Sequence, residues 1–246
     1  MKKILKLIGV IIAIAACAGA AAYISERKEE KKAESRKLPH QPYGIYERYI
    51  KRPLDCFLAT GALVVLSPVL LTLTVVGAIE MGGNPFFTQE RPGKDEIIFE
   101  LIKFRTMNNK KDRDGNLLPD AERLTKYGEW LRSTSLDELP ELFNIVKGDM
   151  SVIGPRPLLV RYLDRYNNEQ HRRHEVRPGL TGLAQANGRN ALTWEDKFSL
   201  DVEYVDHVSL AGDIKIIAKT IESVLKRDGI SSETSATMEE FYGESK

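Results

Sequence analysis

An apolar segment from Leu54 to Ile79, interrupted at its midpoint by Ser67-Pro68, constrains this chain more than any other feature. A proline inside a helix removes a backbone hydrogen bond and clashes with the preceding turn, so we expect a kink, and the Ser67 hydroxyl can satisfy a freed carbonyl. Each half holds about 13 residues, or roughly 20 Å of helix, which is too short to cross a bilayer core of ~30 Å. The segment therefore either enters a membrane and returns as a re-entrant hairpin, or spans it as one kinked helix.

A second apolar run, from Ile4 to Ile24, carries Lys6 as its only charge and is long enough to span a bilayer. A cleaved signal peptide and a lipidated lipoprotein are the alternatives, because Ile14-Ala15-Ala16-Cys17 has the form of a lipobox. The apolar run continues past Cys17, as a membrane anchor does and a cleaved segment need not. We therefore predict an N-terminal transmembrane helix.

Positive charge indicates on which side of the membrane the connection between the two apolar segments lies. Only Lys2, Lys3 and Lys6 are basic before or within the first segment, whereas the connection is rich in lysine and arginine. Basic segments beside a membrane span stay in the cytoplasm, so a re-entrant hairpin would keep the following domain there too. The basic residues of the connection are Arg27, Lys28, Lys31, Lys32, Arg36, Lys37, Arg48, Lys51 and Arg52.

The rest of the chain has the patterns of a mainly helical α+β domain with a small sheet. Lysine plus arginine (36) nearly cancel aspartate plus glutamate (35), so we expect no nucleic-acid partner, and any anion site must be local. The two cysteines, Cys17 and Cys56, fit no zinc spacing and are expected to be reduced, buried thiols. Strands are predicted at 85–91 and 96–107, and helices at 120–131, 135–147, 158–174 and 214–227.

Ser135-Leu136-Asp137-Glu138 is the first candidate for chemistry. Its spacing is that of a capping box, in which Ser135 caps a helix, Glu138 bonds back to it, and Asp137 is favourable against the helix dipole. The same geometry would hold an ionised Asp137 beside free N–H groups, where a carboxylate nucleophile could meet a phosphate. A structural cap and a nucleophile both fit these residues, and the two roles are compatible.

A negatively charged nucleophile repels phosphates, so such a site also needs cations. Arginine suits this role because its planar fork binds phosphate oxygens in pairs, and Arg156 has a fixed backbone between two prolines. An alternative is Asp112-Arg113-Asp114, the Asp-x-Asp pattern of metal-dependent glycosyltransferases, although its polar loop favours a solvated turn. His171 and His174 lack a third ligand, and we expect surface residues rather than a zinc site. The candidate cations are Lys103, Arg105, Arg132, Arg156 and Arg189.

From about Tyr46 to Gly229 the chain resembles the bacterial sugar transferases known as small monotopic phosphoglycosyl transferases. The similarity is greatest to members that use N-acetylated UDP-sugars such as UDP-di-N-acetylbacillosamine. The matching motifs are Lys51-Arg52, Asp55, Ser67-Pro68, Phe87-Thr88-Gln89-Glu90-Arg91-Pro92-Gly93, Lys103-Phe104-Arg105-Thr106-Met107, the stretch 132–140, Gly148-Asp149-Met150-Ser151, Gly154-Pro155-Arg156-Pro157 and Arg177-Pro178-Gly179-Leu180-Thr181-Gly182.

The resemblance implies transfer of a sugar 1-phosphate from a UDP-sugar to undecaprenyl phosphate at the cytoplasmic face of the bacterial inner membrane, before downstream glycosyltransferases extend the glycan. Asp137 matches the family nucleophile, which would attack the β-phosphate and release UMP. Glu138 matches its acidic partner, which helps to hold Mg²⁺. Among the cations, Lys103, Arg132, Arg156 and Arg189 match residues around the phosphate and nucleotide site.

The resemblance also implies roles for the apolar hairpin. Lys51 and Arg52 match a pair at the lipid-phosphate site, and Ser67 and Pro68 match the break that makes the hairpin re-entrant. Small family members begin near Tyr46, so the residues before it are expected to add an anchor. The implied segments are an anchor with its linker (1–45), the re-entrant hairpin (46–82), a cytoplasmic catalytic domain (83–230) and a weakly ordered tail (231–246).

Two other functions stay open at the level of sequence. One is a membrane glycosyltransferase that uses Asp112 and Asp114 to hold a metal and releases UDP instead of UMP. The other is a noncatalytic membrane scaffold, in which Ser135 to Glu138 is only a helix cap.

Overall fold

The computed structural model of the protein describes residues 40–42, 44–188, 192–226 and 240–243. The predicted N-terminal transmembrane helix, the basic linker before residue 40, Cys17 and Arg189 lie outside the described residues, as does most of the predicted tail. Cys56 is a free thiol and is partly exposed, so the prediction that it is buried is wrong. The described residues confirm a mainly helical α+β fold with small sheets.

A broken pair of helices begins the fold. A π-helical turn, Tyr46–Ile50, continues into α1 (Lys51–Val65), and α2 (Ser67–Met81) follows after one residue with the axis bent by 65°. Pro68 lies in the first turn of α2, where its missing N–H has no partner within the helix, and Ser67 donates a 2.8 Å hydrogen bond to the Val64 carbonyl. The predicted kink and the role of Ser67 in satisfying a carbonyl are confirmed.

No single described helix is long and apolar enough to cross a bilayer, whereas the bent pair Tyr46–Val65 and Ser67–Met81 reaches that length and composition jointly. One face of each half packs on the domain: Ala59 joins a core with Leu101 and Ile145, and Leu73 joins one with Phe104 and Leu131. The outward face is apolar and exposed at Phe57, Val65, Leu71 and Ile79.

A β-hairpin follows, as predicted. Strands β1 (Phe86–Pro92) and β2 (Ile98–Phe104) are antiparallel, with Gln89 opposite Leu101 and Arg91 opposite Phe99. Because side chains alternate between the faces of a strand, Gln89 and Arg91 share one face with Leu101 and Lys103. This face becomes one wall of the cavity described below.

The next helices are shorter than the sequence predicts. Instead of one helix over 120–131, α3 (Asp120–Arg123) ends at an extended Leu124, and α4 (Lys126–Ser133) begins afresh. Its N-cap is Thr125, whose hydroxyl accepts a 2.9 Å hydrogen bond from the Gly128 N–H. The local cap therefore divides into two helices a stretch whose sequence pattern predicts one.

The predicted helix over 158–174 is also wrong. After α5 (Glu141–Lys147), the chain forms a 3-10 helix at Val160–Arg165. It continues through the short helix α6 (Asn168–His171) and a 3-10 turn at Arg172–His174. A capping box between Asn167 and Gln170 starts α6, which explains why the helical pattern is interrupted. His174 is 4% exposed rather than a surface residue, because its ring lies against Tyr166.

The C-terminal half closes the fold around a parallel strand pair. Strands β3 (Ser151–Ile153) and β4 (Gly179–Thr181) pair in parallel, followed by α7 (Leu183–Ala186), α8 (Trp194–Asp206) and α9 (Leu210–Lys226). The helix predicted at 214–227 is confirmed and begins four residues earlier. The described end of the chain, 240–243, buries Phe241 in an aromatic cluster; the other members are Tyr162, Tyr166, Trp194 and Phe198.

Polar contacts fasten α1 to this domain. The buried Asp55 carboxylate accepts a 2.6 Å hydrogen bond from the Ser151 hydroxyl on β3. Arg52 donates to the carbonyls of Ile145 and Val146 at 2.6 and 3.0 Å, in the last turn of α5, where carbonyls lack partners within the helix. The bent helical pair and the domain are thus joined through polar as well as apolar contacts.

Candidate active site

The backbone around Asp137 differs from the predicted capping box. Ser135 adopts a left-handed conformation (φ 55°) and makes no side-chain cap, Leu136–Glu138 form a 3-10 turn, and α5 begins only after Pro140. Proline cannot donate the backbone hydrogen bond that a continuous helix needs there, and it clashes with the preceding turn. Asp137 therefore lies in a tight turn before α5, not in the first turn of the predicted helix.

Glu138 is held between two cations instead of bonding back to Ser135. Its Oε1 atom accepts 2.8 Å hydrogen bonds from both Lys103 Nζ and Arg156 Nη2. Burial raises the pKa of Glu138, but the charges of Arg156 and Lys103 outweigh burial and hold its pKa well below the usual range. Both donors are cations, so each bond adds the attraction of opposite charges, which a backbone N–H in a cap would not supply, and this explains where the carboxylate goes.

A third carboxyl group, Glu141, lies beneath this pair. It is 3% exposed, and one of its oxygens is 2.9 Å from Lys103 Nζ. Burial raises the pKa of Glu141 to about 7, against the opposing effect of Lys103. Lys103 therefore bridges two acids, and its pKa is raised because Glu138 and Glu141 outweigh the effect of its burial.

Asp137 stands beside this cluster with a different environment. Among the described residues none donates a hydrogen bond to its carboxylate, although the side chain is half-buried. Burial raises the pKa of Asp137 and the charge of Glu138 raises it further, whereas Lys103, Arg156 and Arg132 oppose the shift. An acid that is close to several cations but bonded to none of them retains oxygen lone pairs for attack on an electrophile.

The remaining predicted cations divide into those near Asp137 and those elsewhere. Arg132 is close enough to lower the pKa of Asp137, and its Nε donates a 3.1 Å hydrogen bond to the Thr106 hydroxyl. Arg105 follows β2, and the contact that the structure gives it is its backbone N–H bonding to the Pro85 carbonyl at 2.7 Å. The structure therefore brings Lys103, Arg132 and Arg156 together around the two acids, and does not bring Arg105 into that cluster.

The two basic residues that were predicted to meet a lipid phosphate lie at the start of α1. Lys51 Nζ is 2.7 Å from Asp213 on α9 and 3.8 Å from Asp55. Arg52 donates to α5 carbonyls, as described above. Both side chains therefore already hold parts of the fold together.

A cavity of about 560 Å³ opens beside the cluster. Lys103, Arg156 and Glu141 form part of its wall, so it reaches the residues that contact Glu138. Sequence reasoning missed Glu141, Arg91 and the aromatic part of the wall, although the alternation of β1 could have placed Arg91 on the same face as Gln89. The remaining lining residues are Gln89, Arg91, Leu101, Asp120, Pro157, Leu158, Leu159, Arg161, Tyr162, Trp194 and Glu240.

Two features bear on a metal ion. In the Asp-x-Asp loop, Asp112 Oδ1 accepts hydrogen bonds from its own loop, from the N–H groups of Asp114 and Asn116, both at 2.9 Å. Within the described ranges no three His, Cys, Asp or Glu side chains form a metal-binding group. Adjacent carboxylates at Asp137 and Glu138 nevertheless fit the usual manner of binding Mg²⁺, which takes one or two carboxylates together with substrate phosphates.

Comparison with known proteins identifies the family of this chain. Residues 46–227 match the family model described as bacterial sugar transferase. The chain is 49% identical over 194 residues to an uncharacterized sugar transferase, EpsL, of Bacillus subtilis, which covers 79% of this chain and 96% of that protein.

Two longer relatives have named activities. The undecaprenyl-phosphate galactose phosphotransferase of Salmonella typhimurium is 35% identical over 74% of this chain and 42% of its own length. A UDP-N-acetylgalactosamine-undecaprenyl-phosphate N-acetylgalactosaminephosphotransferase of Aeromonas hydrophila is 37% identical over 75% of this chain and 45% of its own length. The chain thus aligns with less than half of each. With the family model covering most of the chain, this protein belongs to the bacterial sugar transferase family, as an enzyme of the sugar-phosphate transferase class.

Proposed function

We propose that this enzyme moves a sugar 1-phosphate from a UDP-sugar to undecaprenyl phosphate through a covalent phosphosugar intermediate on Asp137. The observation that carries the proposal is the contrast between two adjacent acids. Glu138 is bonded to Lys103 and Arg156, whereas Asp137 lies among the same cations without a donor among the described residues. This is the arrangement expected when one acid attacks and the other positions the cations.

The first step would form a bond between a carboxylate oxygen of Asp137 and the β-phosphorus of the donor. The bond from that phosphorus to the bridging oxygen breaks, and UMP leaves with the electron pair. Lys103, Arg132 and Arg156 would balance the charge on the transferred and leaving phosphates, which is the main task in phosphoryl transfer. In the second step a lipid phosphate oxygen attacks the same phosphorus and releases Asp137.

Mg²⁺ is proposed as the cofactor, with Glu138 as its protein ligand and donor phosphates completing the coordination. The unshared oxygen of Glu138 is the atom suited to this, because Oε1 already accepts from two cations. The ion would supply additional neutralisation of phosphate charge. Lys103 and Arg156 in turn keep Glu138 ionised, because they lower its pKa.

The place of reaction is proposed to be the cytoplasmic face of the inner membrane. The bent pair of helices exposes large apolar side chains on its outward face, and no single described helix is long and apolar enough to cross a bilayer. Exposed Leu210, Ile214 and Ile221 on α9 would rest on the same interface. Lys51 remains the proposed lipid-phosphate residue together with Arg52, since its ammonium has three donors and Asp213 is its only close acceptor among the described residues.

The donor is proposed to be an N-acetylated UDP-sugar, and the product the first lipid-linked sugar of a bacterial glycan such as exopolysaccharide, capsule, O-antigen or a glycoprotein glycan. Support for an N-acetylated donor comes from the sequence motifs and from the Aeromonas relative. Downstream glycosyltransferases would then act on the lipid-linked product.

Intact-protein mass spectrometry tests the proposal. The purified enzyme is incubated with a panel of UDP-sugars and Mg²⁺ without lipid acceptor, while UMP is assayed. Wild type should gain the mass of one phosphosugar and release UMP, whereas Asp137→Asn should do neither. Asp112→Asn is the matched control and should behave as wild type, because asparagine can still accept the loop hydrogen bonds that Asp112 Oδ1 accepts. Release of UDP with acceptor present, and no adduct, would instead assign the chemistry to Asp112 and Asp114.

A further inference from the structure

The cavity wall contains an arginine to which the reaction scheme gives no role. Arg91 is the penultimate residue of β1, and it shares the inner face of the hairpin with Gln89, Leu101 and Lys103. All four residues line the cavity.

The contacts of Arg91 are unusual for a largely buried cation. Its Nη2 donates to the Gln89 side-chain oxygen at 2.7 Å and its Nη1 to the Pro157 carbonyl at a longer 3.4 Å, while Nε is buried without a partner in the described part of the chain. Both acceptors are neutral. Across the described residues, no carboxylate oxygen lies within 4.0 Å of Arg91.

The other basic residues of the cavity wall are each paired with an acid. Lys103 and Arg156 contact Glu138, and Arg161 is 2.9 Å from Glu240. Burial lowers the pKa of Arg91 to about 10, and the like charge of Arg156 contributes to the shift. The charge of Glu141 opposes this shift, but no carboxylate of the described residues is in contact with Arg91. A buried cation without a contacting carboxylate is costly, so an incoming anion would stabilise this part of the wall.

The position of Arg91 identifies the part of the donor that it meets. Lys103 pairs across the hairpin with Phe87, and Arg91 is four residues further along β1, about 13 Å of strand. Lys103 is bonded to Glu138, the neighbour of the attacking Asp137, and so lies where the transferred phosphorus would be. Arg91 also acts electrostatically on Arg156, which is bonded to the same Glu138. Next to the transferred phosphate, the remaining negative charge of the donor is on the phosphate of the nucleotide portion, because an N-acetylated sugar is uncharged.

We propose that Arg91 binds the phosphate of the nucleotide portion of the donor, the group that departs as a nucleoside monophosphate. The inference rests on the proposed function for the identity of that leaving group. An arginine fork can donate two hydrogen bonds to one phosphate, and the ligand would supply the contacting anion that Arg91 lacks among the described residues.

Calorimetric titration of the purified full-length enzyme with UMP tests this inference. Arg91→Gln should bind UMP about 10- to 100-fold more weakly than wild type, and Arg91→Lys should recover part of the loss because it restores the charge. Arg172→Gln is the matched control: it removes an arginine that does not line the cavity and that has the carboxylate partners Glu169 and Asp206, and it should change UMP affinity by no more than about threefold.

Thermal unfolding without ligand separates binding from a structural role. Arg91→Gln should unfold at the wild-type temperature or above, because it removes a buried positive charge, and it should lose the stabilisation that UMP gives wild type. Equal UMP affinity for wild type and Arg91→Gln would overturn the inference, as would an affinity loss seen only with a lowered unfolding temperature in both Arg91 variants. Failure of wild type to form a phosphosugar adduct would overturn the proposed function instead, so the two failures are distinguishable.

Discussion

Replacement of Gly128 by alanine should impair both stability and the active site, although Gly128 touches neither acid. A Cβ atom at this position would lie 1.9 Å from the Thr106 carbonyl oxygen, whereas real contacts begin at about 3.0 Å. The two backbones must separate by about 1.1 Å, the difference between these distances. Forced overpacking of this kind costs about 3 kcal/mol, which lowers the melting temperature of a domain of this size by roughly 6–12 °C.

The same displacement should reach the chemistry through one hydrogen bond. The Thr106 hydroxyl accepts from Arg132 Nε at 3.1 Å, and Arg132 is one of the cations that act on Asp137. A shift of about 1 Å in a positioning contact can reduce a rate by as much as 100-fold. We therefore expect the rate of phosphosugar adduct formation to fall about 10- to 100-fold in Gly128→Ala, measured by quenched-flow mass spectrometry at a temperature where the variant is folded.

Gly61→Ala provides the control, because a Cβ atom on Gly61 in α1 would meet nothing within 4 Å. Alanine in a helix is favoured over glycine by about 0.5–1 kcal/mol, so this variant should match wild type or exceed its stability. The reasoning is refuted if Gly128→Ala melts within about 2 °C of wild type, which is about the resolution of the measurement, or if it forms the adduct at the wild-type rate.

Three further predictions concern charge. The pKa of Glu141 in the folded protein is about 7, above its usual value, so wild type should lose at most ~3 kcal/mol of stability as pH rises from about 4.5 through 7. In chemical denaturation, Glu141→Gln should show a smaller loss of stability over the same pH range. A loss equal to that of wild type would contradict this prediction. Adduct formation requires ionised Asp137, whose pKa is raised, so the rate of adduct formation should fall as pH falls through that pKa. Arg156→Gln removes a charge that lowers the pKa of Asp137, so in pH–rate profiles this fall should occur at higher pH than in wild type. An unchanged pH–rate profile would count against the assigned electrostatics. Arg173 and Asp201 form a buried ion pair with a nitrogen–oxygen distance of 2.6 Å. Arg173→Met leaves the acid without its partner and should lower the free energy of unfolding, measured in urea, by about 3–5 kcal/mol. A decrease of less than about 1 kcal/mol would be inconsistent with that pairing.

The sequence was sufficient for elements whose signal is local and strong. The Ser67-Pro68 break and the alternating hairpin strands were predicted because proline geometry and strand periodicity act within a few residues. The helix α9 was also predicted, although it begins four residues earlier than its pattern indicates.

Long-range partners explain most of the failures. The capping box at Ser135 was wrong because Glu138 bonds to Lys103 on β2 and to Arg156, and local spacing cannot anticipate partners 35 and 18 residues away. The helix predicted over 158–174 failed because its spaced tyrosines pack into the aromatic cluster with Phe241, rather than along one helix face.

In the candidate site, the sequence motifs predicted residue types, but they did not predict the environment of each side chain. Asp137 and the cations Lys103, Arg132 and Arg156 could be named from motifs, and the fold brings them together. Glu141 and Arg91 could not be selected, because what distinguishes them is burial and the presence or absence of an opposite charge, which only the packed structure defines.

The aromatic cluster also gives the protein an intrinsic optical reporter. The chain has two tryptophans, and Trp194 both lines the cavity and lies 5.4 Å, centroid to centroid, from the ring of Phe241. The other, Trp130, is half-exposed on α4. A Trp130→Phe background would therefore leave one fluorophore whose emission is sensitive to cavity occupancy and to undocking of the 240–243 segment, so both events could be followed in real time without a label.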